Sequence, residues 1–407
     1  MKRTIALCVA LMIGMSALPV SAATIIVDTE SGETAEELMS LTLTDEWQQE
    51  TKSAAATPEV GGRSAVLMEQ ATGKILYEKN SHEPLPIASV TKIMTLLLVT
   101  EAVDAGEIAV TDTVTCSPEA ASMGGSQIWL EPGEIMTVDD LLKAAAVVSA
   151  NDACAALAEY TAGSIEEFVE RMNTRAAELG MHDTHFLDCS GLDDNARSSA
   201  YDVALMSREL MTHPSIKRYT TIWMDTLREG KSQLVNTNKL VRFYDGITGL
   251  KTGTTSAAGH NLSATAERDG LGLIAVILGC ATTAERFGGA RKLLDHGFAN
   301  YTLYRPAVDP EQLTPIPVLH GTEETVTVTV KDPAPLLLKK GDDKHIALTV
   351  ELAEDLEAPV EAGQEVGTVT VTLSDKTAAT YPVYAEKAVD RLSFFTAFSR
   401  LLTTLCR

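Results

Sequence analysis

The hydrophobic pattern divides the chain into blocks of different texture. Residues 5–19 are almost wholly apolar behind Lys2 and Arg3, and Val20-Ser21-Ala22 supplies small residues at a cleavage position. This predicts a secretory signal over residues 1–22; the alternative, a single membrane anchor, requires a longer apolar run. Residues 23–59 are acidic, with Glu30, Glu36, Glu37, Asp45 and Glu50 among Ser, Thr and Ala. They predict a linker, with one short helix near residues 35–41.

Between residues 60 and 304 the periodicity alternates between sheet and helix. Ser64–Glu69 and Ile75–Glu78 read as strands joined at Thr72-Gly73. Ile93, Met94, Leu96, Leu97 and Leu98 predict an apolar helix running from Ser89 to about Ala105, after a loop containing Pro84 and Pro86. Residues 138–162 predict a helix or helix pair, apolar on both sides of Ser149, and residues 165–179 and 200–212 further helices. Asn261–Arg268 and Leu271–Cys280 predict a hairpin turning at Asp269-Gly270, its second strand apolar throughout and therefore buried on both faces. A helix at about Ala284–Phe298 closes the block. Strands first, helices in the middle, strands and a helix at the end describe an α+β domain: an antiparallel sheet flanked by helices, with a helical subdomain.

Residues 305–385 predict a small all-β, sandwich-like domain. Glu324–Val330, Ile346–Val350 and Val366–Leu373 alternate apolar and polar between turns rich in Pro, Gly and Asp. In residues 386–407, Val389, Leu392, Phe395, Phe398, Leu402 and Leu405 recur near helical spacing, and Arg391, Arg400 and Arg407 add positive charge. Two readings fit: an amphipathic helix lying in a membrane surface, or a terminal helix packed on its own domain. The membrane reading is preferred, because arginines add attraction to anionic lipid.

Composition adds two constraints. A net charge of −23 over 407 residues excludes nucleic acid as a partner in any general sense, since a phosphate backbone needs a basic face. The six cysteines are scattered, with one inside the signal, and none has metal-ligand spacing. They read as small buried apolar residues. No metal or cofactor is expected.

Three short motifs carry the candidate chemistry: Ser89-Val-Thr-Lys92, Ser149-Ala-Asn151 and Lys251-Thr-Gly253. Each is common alone; their order and setting make them informative together. A serine needs a base within hydrogen-bond reach to act as a nucleophile. Residues three apart share a helix face, so Ser89 and Lys92 meet without tertiary help, and a helix N-terminus favours negative charge developing on Ser89. A lysine is a base only when neutral, which requires a desolvated pocket and is helped by a second cation, here Lys251. Ser149 and Asn151 lie in an apolar stretch where polar side chains are costly unless hydrogen-bonded. Gly253 opens a strand to close approach by a ligand.

With these motifs the chain resembles the low-molecular-weight penicillin-binding proteins, the serine-type D-alanyl-D-alanine carboxypeptidases of the S11 peptidase family, over residues 60–385. The resemblance rests on Leu85-Pro-Ile-Ala-Ser-Val-Thr-Lys-Ile-Met-Thr95, Asn151-Asp-Ala-Cys-Ala155, Asn236-Thr-Asn-Lys-Leu240, Gly249-Leu-Lys-Thr-Gly253 and, in the β-domain, Ala358-Pro-Val-Glu-Ala-Gly-Gln-Glu-Val-Gly367. It implies a β-lactamase/transpeptidase-like fold. It implies Ser89 as acylated nucleophile, Lys92 as general base and Ser149 as proton relay to the leaving amine. It implies that Asn151 holds Lys92 and the substrate amide, that Lys251 with Thr252 attracts the terminal carboxylate beside Gly253, and that the amides of Ser89 and Thr254 form the oxyanion hole. The implied partners are peptidoglycan stem peptides and β-lactams, outside the cytoplasmic membrane and attached to its surface through the tail. Thr248 stands where many members carry Asp, and Thr254-Thr255 where some carry His or Tyr.

Rivals remain at this stage: a β-lactamase of the same fold, a non-catalytic penicillin- or peptidoglycan-binding protein, and endopeptidase action by the same residues. His182 and His185 have ligand-like spacing but lie in a loop, and Glu166 and Glu167 are read as a solvated helix face rather than as deacylating groups. Cys154, three residues past Asn151, is read as helix packing.

Overall fold

The computed structural model describes residues 24–25, 57–374, 376–394 and 398. The signal, nearly all of the acidic linker with its expected short helix, and most of the tail lie outside them.

Strands β1 (Ser64–Glu69), β2 (Ile75–Lys79), β3 (Ile247–Thr255), β4 (Gly259–Arg268) and β5 (Leu271–Cys280) form one sheet in the order β2-β1-β5-β4-β3. Every pairing is antiparallel. Central strands β1 and β5 send alternate side chains to opposite faces, as strand geometry requires. Val66, Met68, Ile274, Val276 and Leu278 enter a core shared with the helical region. Ala65, Leu67, Leu273, Ala275 and Ile277 enter a second core with Phe287, Leu293 and Leu294 of the helix at Thr283–Asn300. The apolar run of β5 is therefore buried on both faces.

The helical region comprises α1 (Lys92–Asp104), α2 (Val138–Val147), α3 (Asn151–Ala162), α4 (Ile165–Glu178) and α5 (Ala200–Leu210), and the helix at Thr283–Asn300 becomes α6. Helices α2, α4, α5 and α6 start where a Thr or Ser side chain accepts from the amide three residues on: Thr137, Ser164, Ser199 and Thr282. The 138–162 stretch is a helix pair. It breaks at Ser149, which has the left-handed φ of 63°.

Two differences from the sequence reading concern the edges. Thr24–Ile25, expected in the linker, pairs in parallel with Ser232–Gln233. Val389, counted in the tail stripe, is buried in the β-domain core and bridges Val360, while Arg391 bridges Gly321 and the Leu392 amide donates to His320. The helix expected over residues 386–407 does not begin at 386: residues 386–393 are not helical, and of the rest Phe394 and Phe398 are described, both helical, exposed and stacked on each other.

The all-β domain has a three-stranded sheet centred on Ile316–Leu319 and a four-stranded sheet ordered Val328–Val330, Lys376–Ala385, Glu365–Leu373, Ile346–Leu352. A valine-rich core lies between them. The stretch read as one strand, Glu324–Val330, is two: Thr325–Val326 joins the first sheet and Val328–Val330 the second.

Candidate active site

Ser89 lies in a 3-10 turn, Ala88–Thr91, leading into α1. The sequence reading placed it at the start of the α-helix itself. In a 3-10 turn residues three apart eclipse, and Lys92 Nζ donates to Ser89 Oγ at 2.8 Å. Both are buried, Lys92 completely. A second bond from Lys92 Nζ goes to the carbonyl of Ser190 at 2.7 Å.

Ser190 belongs to a loop organised around one carboxylate. Asp188 accepts from the amides of Ser190, Gly191 and Asp193 and from the Ser190 hydroxyl. Burial pushes the Asp188 carboxyl up, but those amides together outweigh it and hold it below the usual carboxylate range. Gly191 has φ +84°, and a Cβ there would sit 1.9 Å from the Ala88 carbonyl oxygen. Only glycine lets this loop press against the serine turn.

Ser149 is fully buried, and its Oγ has no partner among the described residues. The Asn151 amide donates to the Ser126 carbonyl and its Nδ2 to Gly124, while Oδ1 has no partner among the described residues. Asp152 accepts from the Ile128, Leu130 and Ala153 amides, which fixes the 124–130 wall of the cleft to α3. Burial of that carboxyl raises it despite these bonds.

Strand β3 supplies the opposite wall. Lys251 is buried and donates to the Thr252 carbonyl at 3.0 Å; Thr252 Oγ1 donates to Thr237 Oγ1 at 2.7 Å. A Cβ on Gly253 would meet the Ile87 carbonyl at 2.6 Å and the Ser89 nitrogen at 2.9 Å. Arg286 of α6, buried, donates to Thr254 Oγ1 at 3.1 Å. A cleft of about 730 Å³ is lined by Ser89, Asn151 and Thr254, with Gly125, Ser126, Gly191, Leu192, Thr255 and His260. Lys92, Ser149 and Lys251 are buried and do not line it.

The arrangement suits acyl transfer to a serine. The cleft exposes a hydroxyl whose proton an adjacent amine can take once that amine is neutral, and strand backbone stands beside it. The motifs led to Ser89, Lys92, Ser149, Asn151 and Lys251–Thr254. They did not lead to Asp188, Ser190, Thr237, His260 or Arg286. Thr237 lies in the quoted Asn-Thr-Asn-Lys segment, the one available signal.

The other candidates are placed as follows. Glu166 and Glu167 are exposed in the first turn of α4, and His182 and His185 are exposed. Cys116, Cys154, Cys189 and Cys280 are buried and form no disulfide; Cys8 and Cys406 lie outside the described residues. Burial lifts the Cys154 thiol to about 11 against the pull of Lys92 and Lys251. Among the described residues, Glu101, Glu209 and His213 alone cluster as metal ligands would, but Arg175 already bridges the two carboxylates.

The sequence profile of the D-alanyl-D-alanine carboxypeptidase family matches residues 50–282, and that of the penicillin-binding protein 5 C-terminal domain matches residues 301–391. The chain belongs to the D-alanyl-D-alanine carboxypeptidases. It is 42% identical over 345 residues to the D-alanyl-D-alanine carboxypeptidase DacF of Bacillus subtilis, an alignment covering 84% of this chain and 89% of DacF. Penicillin-binding protein 5 of Haemophilus influenzae superposes with a TM-score of 0.71 at 31% identity, covering 83% of this chain and 99% of that one. Penicillin-binding protein D2 of Listeria monocytogenes, solved with cefotaxime bound, superposes with a TM-score of 0.53 at 33% identity, over 60% of this chain and 99% of that one. As a member of the family, the chain is a serine D,D-carboxypeptidase with a PBP5-like fold and a C-terminal all-β domain.

Proposed function

We propose that this carboxypeptidase removes the terminal D-Ala of peptidoglycan stem pentapeptides through an acyl-enzyme on Ser89. The observation that carries the reading is the 2.8 Å contact of a buried Lys92 amine with the Ser89 hydroxyl, at the edge of an open cleft. Neutral Lys92 takes the Ser89 proton as Oγ attacks the carbonyl carbon of the penultimate D-Ala. Negative charge moves to the carbonyl oxygen, held by the Ser89 and Thr254 amides; one such donor is typically worth about 3–4 kcal/mol in the transition state. Asn151 steadies the substrate amide. Ser149 relays the proton held by Lys92 to the leaving nitrogen, which returns Lys92 to its neutral form; the C–N bond breaks, and D-Ala departs with its carboxylate drawn by Lys251 and Thr252. Water then attacks the ester, Lys92 again serving as base, and the tetrapeptide leaves. The buried Ser149 hydroxyl and Asn151 Oδ1, neither with a partner among the described residues, support these roles, because buried polar atoms rarely go unsatisfied without a functional reason.

β-Lactams acylate the same serine in this reading; the cefotaxime-bound relative supports it. The leader-like start supports export across the cytoplasmic membrane, and the amphipathic tail supports attachment to its outer surface. Among the described residues, no helix is long and apolar enough to cross a membrane.

The test incubates wild type and Ser89→Ala with a peptide ending in D-Ala-D-Ala and measures free D-Ala. Release by wild type alone, with a penicillin adduct mapping to Ser89, is expected. An adduct on another side chain, or release by the variant, overturns the proposal. Co-sedimentation with anionic vesicles, lost when the chain ends at Leu392, tests the tail.

A further inference from the structure

One cluster in the cleft has no part in the mechanism above. His260 begins β4 and lines the cleft. It lies opposite Thr254 of β3 on one side and Cys280 of β5 on the other. Its Nδ1 is 3.4 Å from the Thr254 hydroxyl and 3.4 Å from the Thr283 hydroxyl of α6. The guanidinium of Arg286 donates to that same Thr254 oxygen at 3.1 Å.

Donor counting fixes one direction and constrains the other, for which the Thr283 hydroxyl is the rival donor. A guanidinium has no acceptor, so the Thr254 oxygen accepts from Arg286, and its own proton is free to go to a ring nitrogen. His260 can receive it only at an unprotonated Nδ1. An imidazolium would present a second donor to a hydroxyl already facing Arg286.

We propose that His260 is a positioning residue for acyl transfer: as the neutral imidazole it takes the Thr254 hydroxyl proton and, with Arg286, fixes the residue whose amide faces the developing oxyanion. This rests on the oxyanion role given to Thr254 above. The 3.4 Å separation is long for such a bond, as catalytic bonds often are before substrate tightens them. The surroundings keep the ring neutral. Burial, then the Arg286 charge, pulls His260 below its ordinary 6.5, and Glu285 opposes them weakly. The titratable or charged groups facing it are Cys280 from β5 and Arg286 and Glu285 from α6; β3 offers it only hydroxyls.

The sign follows. Protonation of His260 breaks the arrangement, so acylation falls as pH drops through a value below 6.5. The experiment measures the second-order acylation rate with a chromogenic cephalosporin, and D-Ala release, from pH 5 to 9 for wild type, His260→Asn and His260→Ala. Asparagine keeps an acceptor near Nδ1 but does not titrate. We expect His260→Ala to lose about three- to tenfold in rate at neutral pH, what one hydrogen bond is worth, with KM little changed. His260→Asn should regain most of that rate, and its acidic limb, no longer carrying the His260 titration, should be displaced from that of wild type. The same acidic limb in all three proteins, or a rate in His260→Ala within twofold of wild type, overturns the proposal while leaving the carboxypeptidase reading intact. Failure of wild type to be acylated at Ser89 would instead remove the reading on which the proposal rests.

Discussion

Gly253 touches the backbone of Ser89: a side chain on that strand residue would lie 2.9 Å from the serine nitrogen and closer still to the Ile87 carbonyl. Both obstacles are main chain, so neither can rotate away. Gly253→Ala must push β3 from the serine turn, and displacements of about 1 Å in such sites cost on the order of a hundredfold in rate. We expect the acylation rate to fall by about that factor while circular dichroism shows the fold retained. A rate within threefold of wild type would show that the contact is slack.

Ser149 combines a left-handed backbone with a buried hydroxyl that no group among the described residues satisfies. Both features cost stability, the strain about 1–2 kcal/mol and the lone hydroxyl about 1–3 kcal/mol. Ser149→Gly relieves them, against an entropic loss of about 0.5–1 kcal/mol. The variant should melt about 2–4 °C higher and lose D-Ala release by about a hundredfold or more. Calorimetry and a D-Ala assay on the same sample check this; a lower melting temperature contradicts it.

Asp188 holds the loop that gives Lys92 its second acceptor. Its carboxyl sits below the ordinary 3.8 in the folded protein, because three amides outweigh the effect of burial. A depressed folded value means the stabilisation is fully present above 3.8 and disappears as pH falls through the folded value. Asp188→Asn should therefore cost about 2–4 kcal/mol near neutral pH, measured by urea unfolding, and progressively less below pH 3.8. A difference independent of pH would assign the loop's order to something other than this charge.

The buried thiols should be inert. Burial raises Cys116 and Cys154 to about 11 and Cys280 to about 12, and Cys189 further. Iodoacetamide at pH 8, followed by peptide mapping, should leave all four unmodified in the native protein and label them after denaturation. Labelling of native Cys154 would show that α3 opens beside the active site.

Much of this was legible in the chain because it depends on local pattern. The two-faced burial of β5 follows from an unbroken apolar run, and Ser89 meets Lys92 because one turn of backbone brings them together. What was hidden depends on distant partners. The Ser190 carbonyl that accepts from Lys92 comes from ninety-eight residues away, and a carbonyl has no residue type to announce it. The break at Ser149 is a backbone conformation inside a stretch whose composition favours helix. Val389 has the right spacing for the tail stripe, yet a ladder to Val360 claims it. His260 and Arg286 are ordinary polar residues until sheet register and the first turn of α6 set them around Thr254.

That ladder has a consequence for the lifetime of the enzyme. Residues 389–392 are clasped between two distant turns of the β-domain, one at Val360 and the other at His320 and Gly321. An exopeptidase nibbling from the free end would be halted there, since advancing further requires undoing a folded module. If the tail holds the enzyme to a surface as proposed above, trimmed molecules would keep the cleft intact while losing that hold, and the same polypeptide could then work at a distance from where it was first fixed.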